Sequence, residues 1–399
     1  MCCANFVSAC LEKAGLIPAN QHNDSVHGLV SNLRADGWSE VPLSQAQPGD
    51  VVTFDGPEGP GQHVELFNGF VNGQPQYIGS NNRNSDGSQR ITYDTGAYRT
   101  PLYEAARLAG YDELRAEQAS RRERGDRMLL GIGVSAYVEI TAGGGSSEYG
   151  SVAVHPDGTA TVMAGTSAHG QGHQTSFAMI VSDQTGIPVS SIRLVQSDTD
   201  LVRSGGGTGG SRSLQLGGSA VHRATEAMVT KARALAASLL EADPADVVVD
   251  TDAGTVGVAG VPATALTWAQ LAEAAERDPG LVDHDDGTLG LAAQLDFDQG
   301  EATFPFGAHV AVVEVDRETG RTRLVRHIAV DDCGTVLNPL LVEGQQHGGV
   351  AAGVSQTMYE QVRYDDDGNP LTGNFMDYGI PSAAEFPNFE VHSTETPTH

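Results

Sequence analysis

Apolar positions along the chain follow helical spacing in some stretches and alternate in others, and the texture changes near residues 90–100. Before that point, CANFVSACLEKAGL has helical spacing and stops at Gly15, with Pro18 just beyond. A second helical pattern covers Val26–Asp36. DVVTFDG, QHVELFNGFVNG and QPQYIGSNN then follow as strand-like runs separated by Gly, Pro and Asn. Residues 1–92 are therefore expected to form a small α+β unit.

From residue 93 to 399 the pattern predicts a larger region of hairpins and long helices, so the chain as a whole falls in the α+β class. Leu102–Arg127 reads as one strongly charged helix. SVAVHPDGTATVMAG reads as a hairpin around Asp157-Gly158. AHGQGHQTSFAMIVSDQTG passes from a glycine loop into a helix, and IRLVQSD is a strand. GGGTGGSRSLQLGG leads into a long helix ending near LLEA. HVAVVEVDRETGRTRLVRHIAVDDCG is a second hairpin turning at Glu318–Gly320, and Asn338–Gln361 is a further helix.

Composition narrows the function. Lys and Arg total 23 against 51 acids, a net charge of −28, so nucleic acid and anionic membrane surfaces are poor partners. No apolar run approaches membrane-spanning length, and the N-terminus lacks the basic-then-apolar pattern of a secretory signal. Cys2, Cys3, Cys10 and Cys333 make neither a disulfide framework nor a zinc spacing, which points to a reducing, cytoplasmic compartment. Cys333, after a strand, is expected to be a buried structural thiol.

Candidate chemistry concentrates where strands end in glycines and helices begin. Helix N-termini offer unpaired N–H groups and positive dipole character, and glycine lets an anion approach those amides. Two such junctions occur, Gly165–Thr175 and Gly205–Ser213. The first contains Gly170, Gln171 and Gly172. The second contains Gly209, Gly210, Ser211, Arg212 and Ser213, whose hydroxyls and guanidinium suit phosphate. Neither has P-loop or dinucleotide-fingerprint spacing, and plain turns remain the alternative. On the helix Asn338–Gln361, Gly344, Gly348, Ala351 and Ser355 form a stripe of small residues. It fits either tight helix packing or a cofactor held from its start by Gln345. His169 and His173 have i, i+4 spacing, but the intervening glycines favour a loop over a metal site. Asp283, Asp285 and Asp286 around His284 read as a solvated turn. No metal ligand set is expected.

GTSAHGQGHQTSFAMIVSDQTGIP, DTDLVRSGGGTGGSRSLQLGGSAV and DDCGTVLNPLLVEGQQHGGVAAGVSQTMYEQVRYDDDGNPLTGNFMDYGIP, in that order, resemble the molybdopterin-contacting segments of molybdenum hydroxylase large subunits. This is the family of xanthine dehydrogenase, aldehyde oxidase and carbon monoxide dehydrogenase. The resemblance runs from about residue 93 onward. It implies that Gln171 bonds the pterin or its pyrophosphate, that Gly209–Ser213 cradle the phosphate, and that Gln345 adds another pterin contact. It also implies a molybdenum-bearing molybdopterin in cytosine dinucleotide form, with electrons passing to iron–sulfur and flavin subunits. The implied reaction is hydroxylation of an aldehyde, purine-like heterocycle or similar small substrate, or oxidation of carbon monoxide. The resemblance does not extend to the family's C-terminal catalytic glutamate or to the N-terminal half of the large subunit. The expectation is that this chain alone does not turn over.

In residues 1–92, CANFVSACLEKAGL, PGDVVTF, QHVELF and YIGSNN resemble the CHAP-type cysteine amidases and peptidases, with a papain-like core. That resemblance implies Cys3 as nucleophile, His63 as base and Asn81 as orienting group. The chemistry is sound, because a cysteine in the first turn of a helix has its thiolate stabilised by the exposed amides. Two further readings therefore stand beside the molybdenum one. One is a cysteine amidase acting on peptidoglycan through Cys3 and His63. The other is a non-functional fusion of two truncated genes.

Overall fold

The computed structural model describes residues 97–142, 147–299 and 302–396 continuously; earlier in the chain it describes residues 26–36, strands at 51–56, 59–71 and 74–78, and a few isolated positions. The chain divides into two compact units, one reaching to Ala97 and one starting at Tyr98. In the first, α1 (Val26–Ala35) buries Leu29 and Leu33, which lie one turn apart on a single face. Strands β1 (Val51–Gly56), β2 (Gly59–Val71) and β3 (Gln74–Ile78) form an antiparallel meander in which Phe54 pairs with His63. Cys3, Asn81 and the His63 side chain lie outside the described residues.

The second unit opens with α2 (Arg99–Ala109) and α3 (Tyr111–Arg124) where one helix was expected. Gly110 separates them at φ +65°, a left-handed position that ends the first helix by donating its N–H to Arg107 O. The glycine was in plain view inside the charged stretch. Two four-stranded sheets follow. The first takes β5 (Ser147–Val154), β6 (Ala160–Ala164), β7 (Ile192–Val195) and β11 (Leu291–Asp298) in the order β11-β5-β6-β7. The hairpin at Asp157-Gly158 joins β5 to β6, and β7 pairs with β6 in parallel.

Against this sheet pack α4 (His173–Thr185) and the long α5 (Ser219–Leu240), with Phe177, Val181, Val221, Met228 and Leu235 buried among Val152 and Val162. Helix α5 comes so close to β5 that a Cβ on Gly150 would lie 2.6 Å from the Ala220 carbonyl carbon. A small sheet of β8 (Val247–Asp250), β9 (Thr255–Val258) and β10 (Leu266–Thr267) leads into α6 (Trp268–Arg277). A capping box at Thr267 and Gln270 starts α6, and Trp268 Nε1 donates to Thr185 O at 2.7 Å.

The second sheet contains β4 (Met128–Val138), β12 (Phe306–Asp316), β13 (Thr322–Asp332) and β14 (Glu390–Thr394), ordered β14-β13-β12-β4. Strand alternation gives it two faces. Val310, Val312, Ile328 and Val330 point to the face where Ala105 and Ala109 of α2 pack. Ala329 meets Val350 and Val354 of α7 (Pro339–Met358) on the other. The β4–β12 ladder is continued by the Thr141–Thr303 pair, a first link past the strand ends, and Ala142 N–H makes a second by donating to Gly210 O at 2.8 Å. That second link leads directly to the glycine loops.

Candidate cofactor-binding site

Strand β6 ends at Ala164, and the chain turns through Gly165–Gly172 into α4. Gly170 at φ +104° and Gly172 at φ +84° occupy backbone regions closed to most side chains. The second loop, Gly205–Arg212, runs into a π-helical turn at Ser213–Gly218 and then into α5. The structure lays the two loops side by side. Gly207 N–H donates to Gly165 O at 3.1 Å, Thr208 Oγ1 donates to Ser167 O at 2.5 Å, and Ser167 N–H donates to Thr208 Oγ1 at 3.3 Å. A side chain on Gly165 would collide with the Gly205 backbone, so contact between the loops requires glycine there.

The side chains mostly hold the loops, and the backbone is what they present. Gln171 Oε1 accepts from His169 N–H at 2.5 Å, bracing the first loop from within. Ser211 Oγ donates to Glu139 at 2.5 Å, and Ser213 Oγ lies 2.9 Å from Thr208 Oγ1. Arg212 is engaged elsewhere than a phosphate role requires. Its guanidinium donates to the buried Glu148 at 3.0 Å and to Ser147 O at 3.3 Å. Around Gly170, Gly209 and Gly210 a Cβ would meet nothing within 4 Å, so these positions border open space. Among the described residues, no group accepts from the amides of Gly170, Gln171 and Gly172. Those N–H groups, at a helix start, suit a phosphate.

Helix α7 closes the third side. A Cβ on Gly172 would lie 2.7 Å from Leu341 Cδ1, so the first turn of α7 rests on the start of α4. Gln345 lies four residues beyond Leu341 on the same helical face, and it is exposed. The three segments singled out in the sequence thus converge. The small-residue stripe on α7 is not explained by tight helix packing, since a Cβ on Gly344 or Gly348 would meet nothing within 4 Å. Only Ser355, at the far end of the stripe, is buried.

One network was not visible in the sequence. His173 is buried at the first position of α4, stacked at 5.0 Å on Phe177, with Nδ1 3.2 Å from Gln196 Oε1. Gln196 Nε2 donates to Thr166 Oγ1 at 2.7 Å. His173 Nε2 is buried without a hydrogen-bond partner, an orphaned polar atom beside the first loop. Burial pushes its pKa below the ordinary histidine value, partly opposed by the bond to Gln196. His169, by contrast, is exposed on the loop. Among the described residues no cluster of His, Cys, Asp and Glu is arranged to hold a metal.

The remaining candidates resolve simply. In the acidic turn, burial pushes the Asp286 pKa upward, but hydrogen bonds from Thr288 and Lys231 outweigh it and hold the carboxyl at about 2. Lys231 Nζ lies 2.9 Å from Asp286, which makes that turn a brace for α5. Cys333 is exposed rather than buried, because it is the first residue past β13, where the chain turns out at Gly334.

A family profile described as the molybdopterin cofactor-binding domain matches residues 104–387. The chain belongs to that family. It carries the molybdopterin-binding region of a molybdenum hydroxylase. It is similar to the carbon monoxide dehydrogenase large chain of Afipia carboxidovorans, 36% identical over 320 residues that cover 77% of this chain and 39% of that protein. It is also similar to the 6-hydroxypseudooxynicotine dehydrogenase complex subunit gamma of Paenarthrobacter nicotinovorans, 37% identical over 303 residues, covering 76% and 37%. Among solved structures, reconstituted CO dehydrogenase from Oligotropha carboxidovorans superposes with a TM-score of 0.70 at 36% identity, covering 77% of this chain and 39% of that one. The chain spans about two-fifths of the length of the relatives it matches. Among the described residues no helix is long and apolar enough to cross a membrane.

Proposed function

We propose that the paired glycine loops and the start of α7 hold the pterin and pyrophosphate of a molybdenum cofactor within a cytoplasmic molybdenum hydroxylase complex. The amides of Gly170, Gln171 and Gly172, with Gly209, Gly210, Ser211 and Ser213, take the anionic part, and Gln345 contacts the pterin. Arg212 stands behind the second loop and acts on the anion only through the loop it holds. When bound, the molybdenum centre supplies the redox chemistry that accepts electrons from the substrate. The cofactor is of the cytosine dinucleotide form, the electrons leave through iron–sulfur and flavin subunits, and the substrate is a small aldehyde, heterocycle or carbon monoxide. The relatives named for CO and 6-hydroxypseudooxynicotine span much of that range. The observation that carries this reading is the joining of the two loops through Gly207, Gly165, Thr208 and Ser167, with their glycine amides bordering open space.

The test is cofactor content after expression in a host that makes molybdenum cofactor. Metal analysis is expected to find molybdenum, and acid oxidation of the same sample to release a fluorescent pterin and cytidine monophosphate. Gly172→Val, strained at φ +84° and driven into Leu341, abolishes both signals. Wild-type protein free of molybdenum and pterin overturns the proposal.

For residues 1–92, the amidase-like reading through Cys3, His63 and Asn81 is a separate proposal, supported by the first unit having its own antiparallel meander. Alkylation of Cys3 at neutral pH much faster than that of Cys10 or Cys333 supports it; equal rates remove it.

A further inference from the structure

Among the described residues, the least exposed charged side chain is not one that the sequence singles out. Glu148, the second residue of β5, is 1% exposed. Its carboxylate sits beneath both glycine loops. Gly206 N–H donates to both of its oxygens at 3.4 Å, Tyr149 N–H donates at 3.2 Å, and Arg212 Nη2 donates at 3.0 Å. On the other side, a side chain on Gly165 would collide with Glu148 Oε1, so the start of the first loop lies directly over the carboxylate. Arg212 in turn fills the space above Gly206 that any side chain there would need. One buried carboxylate thus reaches the first loop, the second loop and the residue that opens the π-helical turn.

We propose that Glu148 is a positioning residue for the cofactor site: its carboxylate, paired with Arg212, fixes the two loops relative to one another. This rests on the cofactor-holding reading of those loops. The exposed hydroxyl links through Thr208 and Ser167 compete with water, whereas charge-assisted bonds in a buried setting do not. The pair also explains why a cationic side chain in a phosphate-like loop faces inward. Arg212 gives its charge to the scaffold, and the loop meets the anion with neutral amides.

Two variants of the full chain test this. Glu148→Gln keeps the size and one acceptor oxygen but removes the charge. The double variant E148L/R212L replaces the pair with apolar side chains, a change that commonly preserves stability, so it separates folding from positioning. In both, hydrogen exchange at the bonded amides of Ser167 and Gly207, one in each loop, is expected to accelerate at least about tenfold, while the buried part of α5 around Met228 keeps its protection. Affinity for inorganic pyrophosphate is expected to fall about 10–100-fold, the range seen when groups orienting a ligand shell are removed. The double variant is expected to do so with a thermal midpoint close to that of wild type. Unchanged exchange in both loops, loosening of one loop alone, or tighter pyrophosphate binding through a released Arg212 each overturns the proposal. Failure of the wild type to bind pyrophosphate counts against the cofactor-holding reading, and loop exchange then still decides the role of Glu148.

Discussion

The two sheets of the larger unit are covered to different degrees. Around β11-β5-β6-β7, the exposed large apolar side chains are scattered singly, such as Val189, Leu201 and Leu289. Around β14-β13-β12-β4 they come in runs along the chain. Val134, Tyr137, Val138 and Ile140 follow one another along and just past β4, Leu337 and Leu340 flank the start of α7, and Leu371, Phe375, Met376 and Ile380 lie beyond it. Phe375 and Met376 are 86% and 95% exposed. The first half holds its own core and one wall of the site, whereas the second half leaves the glycines of α7 and a larger number of apolar side chains exposed. Where such side chains form a patch, they mark an interaction face or an association hazard. The difference teaches that the cofactor loops are supported from behind by a complete core, and that the open side of the site adjoins the less covered half.

The sharpest way to break this comparison is the buried ion pair. Arg212→Leu leaves the Glu148 carboxylate buried and unpaired and is expected to cost about 3–5 kcal/mol, read as a large drop in the chemical denaturation midpoint. Two methionines then test the contrast directly. Met228→Ala in the first half's core is expected to cost about 2–5 kcal/mol, whereas Met376→Ala in the exposed segment changes stability by less than about 0.5 kcal/mol. Equal effects at the two positions would erase the distinction. Phe375→Ser with Met376→Ser is expected to reduce self-association in light scattering while leaving the unfolding midpoint in place.

Acid sensitivity divides the halves less strongly. Beneath α7, His327 Nε2 meets His309 Nδ1 at 3.2 Å, His309 Nε2 meets Asp331 at 2.9 Å, and Gln346 and Tyr137 both donate to Asp331. Burial, with the charge of His309, lowers the His327 pKa from 6.5 to about 4. A histidine depressed in the folded state binds its proton more readily when unfolded, so its contribution holds above about pH 6.5 and is lost as pH falls toward 4. His327→Leu is expected to flatten the decline of the unfolding midpoint over that window, and an unchanged slope would exclude His327 as its source. Gly110→Ala, at φ +65°, is expected to cost about 1 kcal/mol by straining the break between α2 and α3.

Much of this arrangement was legible in the sequence because glycine codes for local backbone geometry. Gly170, Gly172 and Gly210 do occupy positive φ, and the hairpins at Asp157-Gly158 and Glu318–Gly320 fall where the turn residues put them. Gly110 carries the same signal, but it is masked by the charged residues around it, which keep helical character on both sides. The roles of polar residues were harder to read, since those depend on partners distant in the chain. Arg212 suited a phosphate until Glu148, 64 positions away, supplied a buried carboxylate. Glu148 itself looked like any acid at the edge of a strand. The openness of Gly344 and Gly348 was also invisible, because a stripe of small residues looks the same whether it is packed or bare.

The most direct test of the shared anion cradle follows the backbone amides of Gly170, Gly172, Gly209 and Gly210 by nitrogen-15 NMR as inorganic pyrophosphate is added. The account predicts that all four resonances move together with a single dissociation constant. Movement in only one loop, or two unrelated constants, would contradict it.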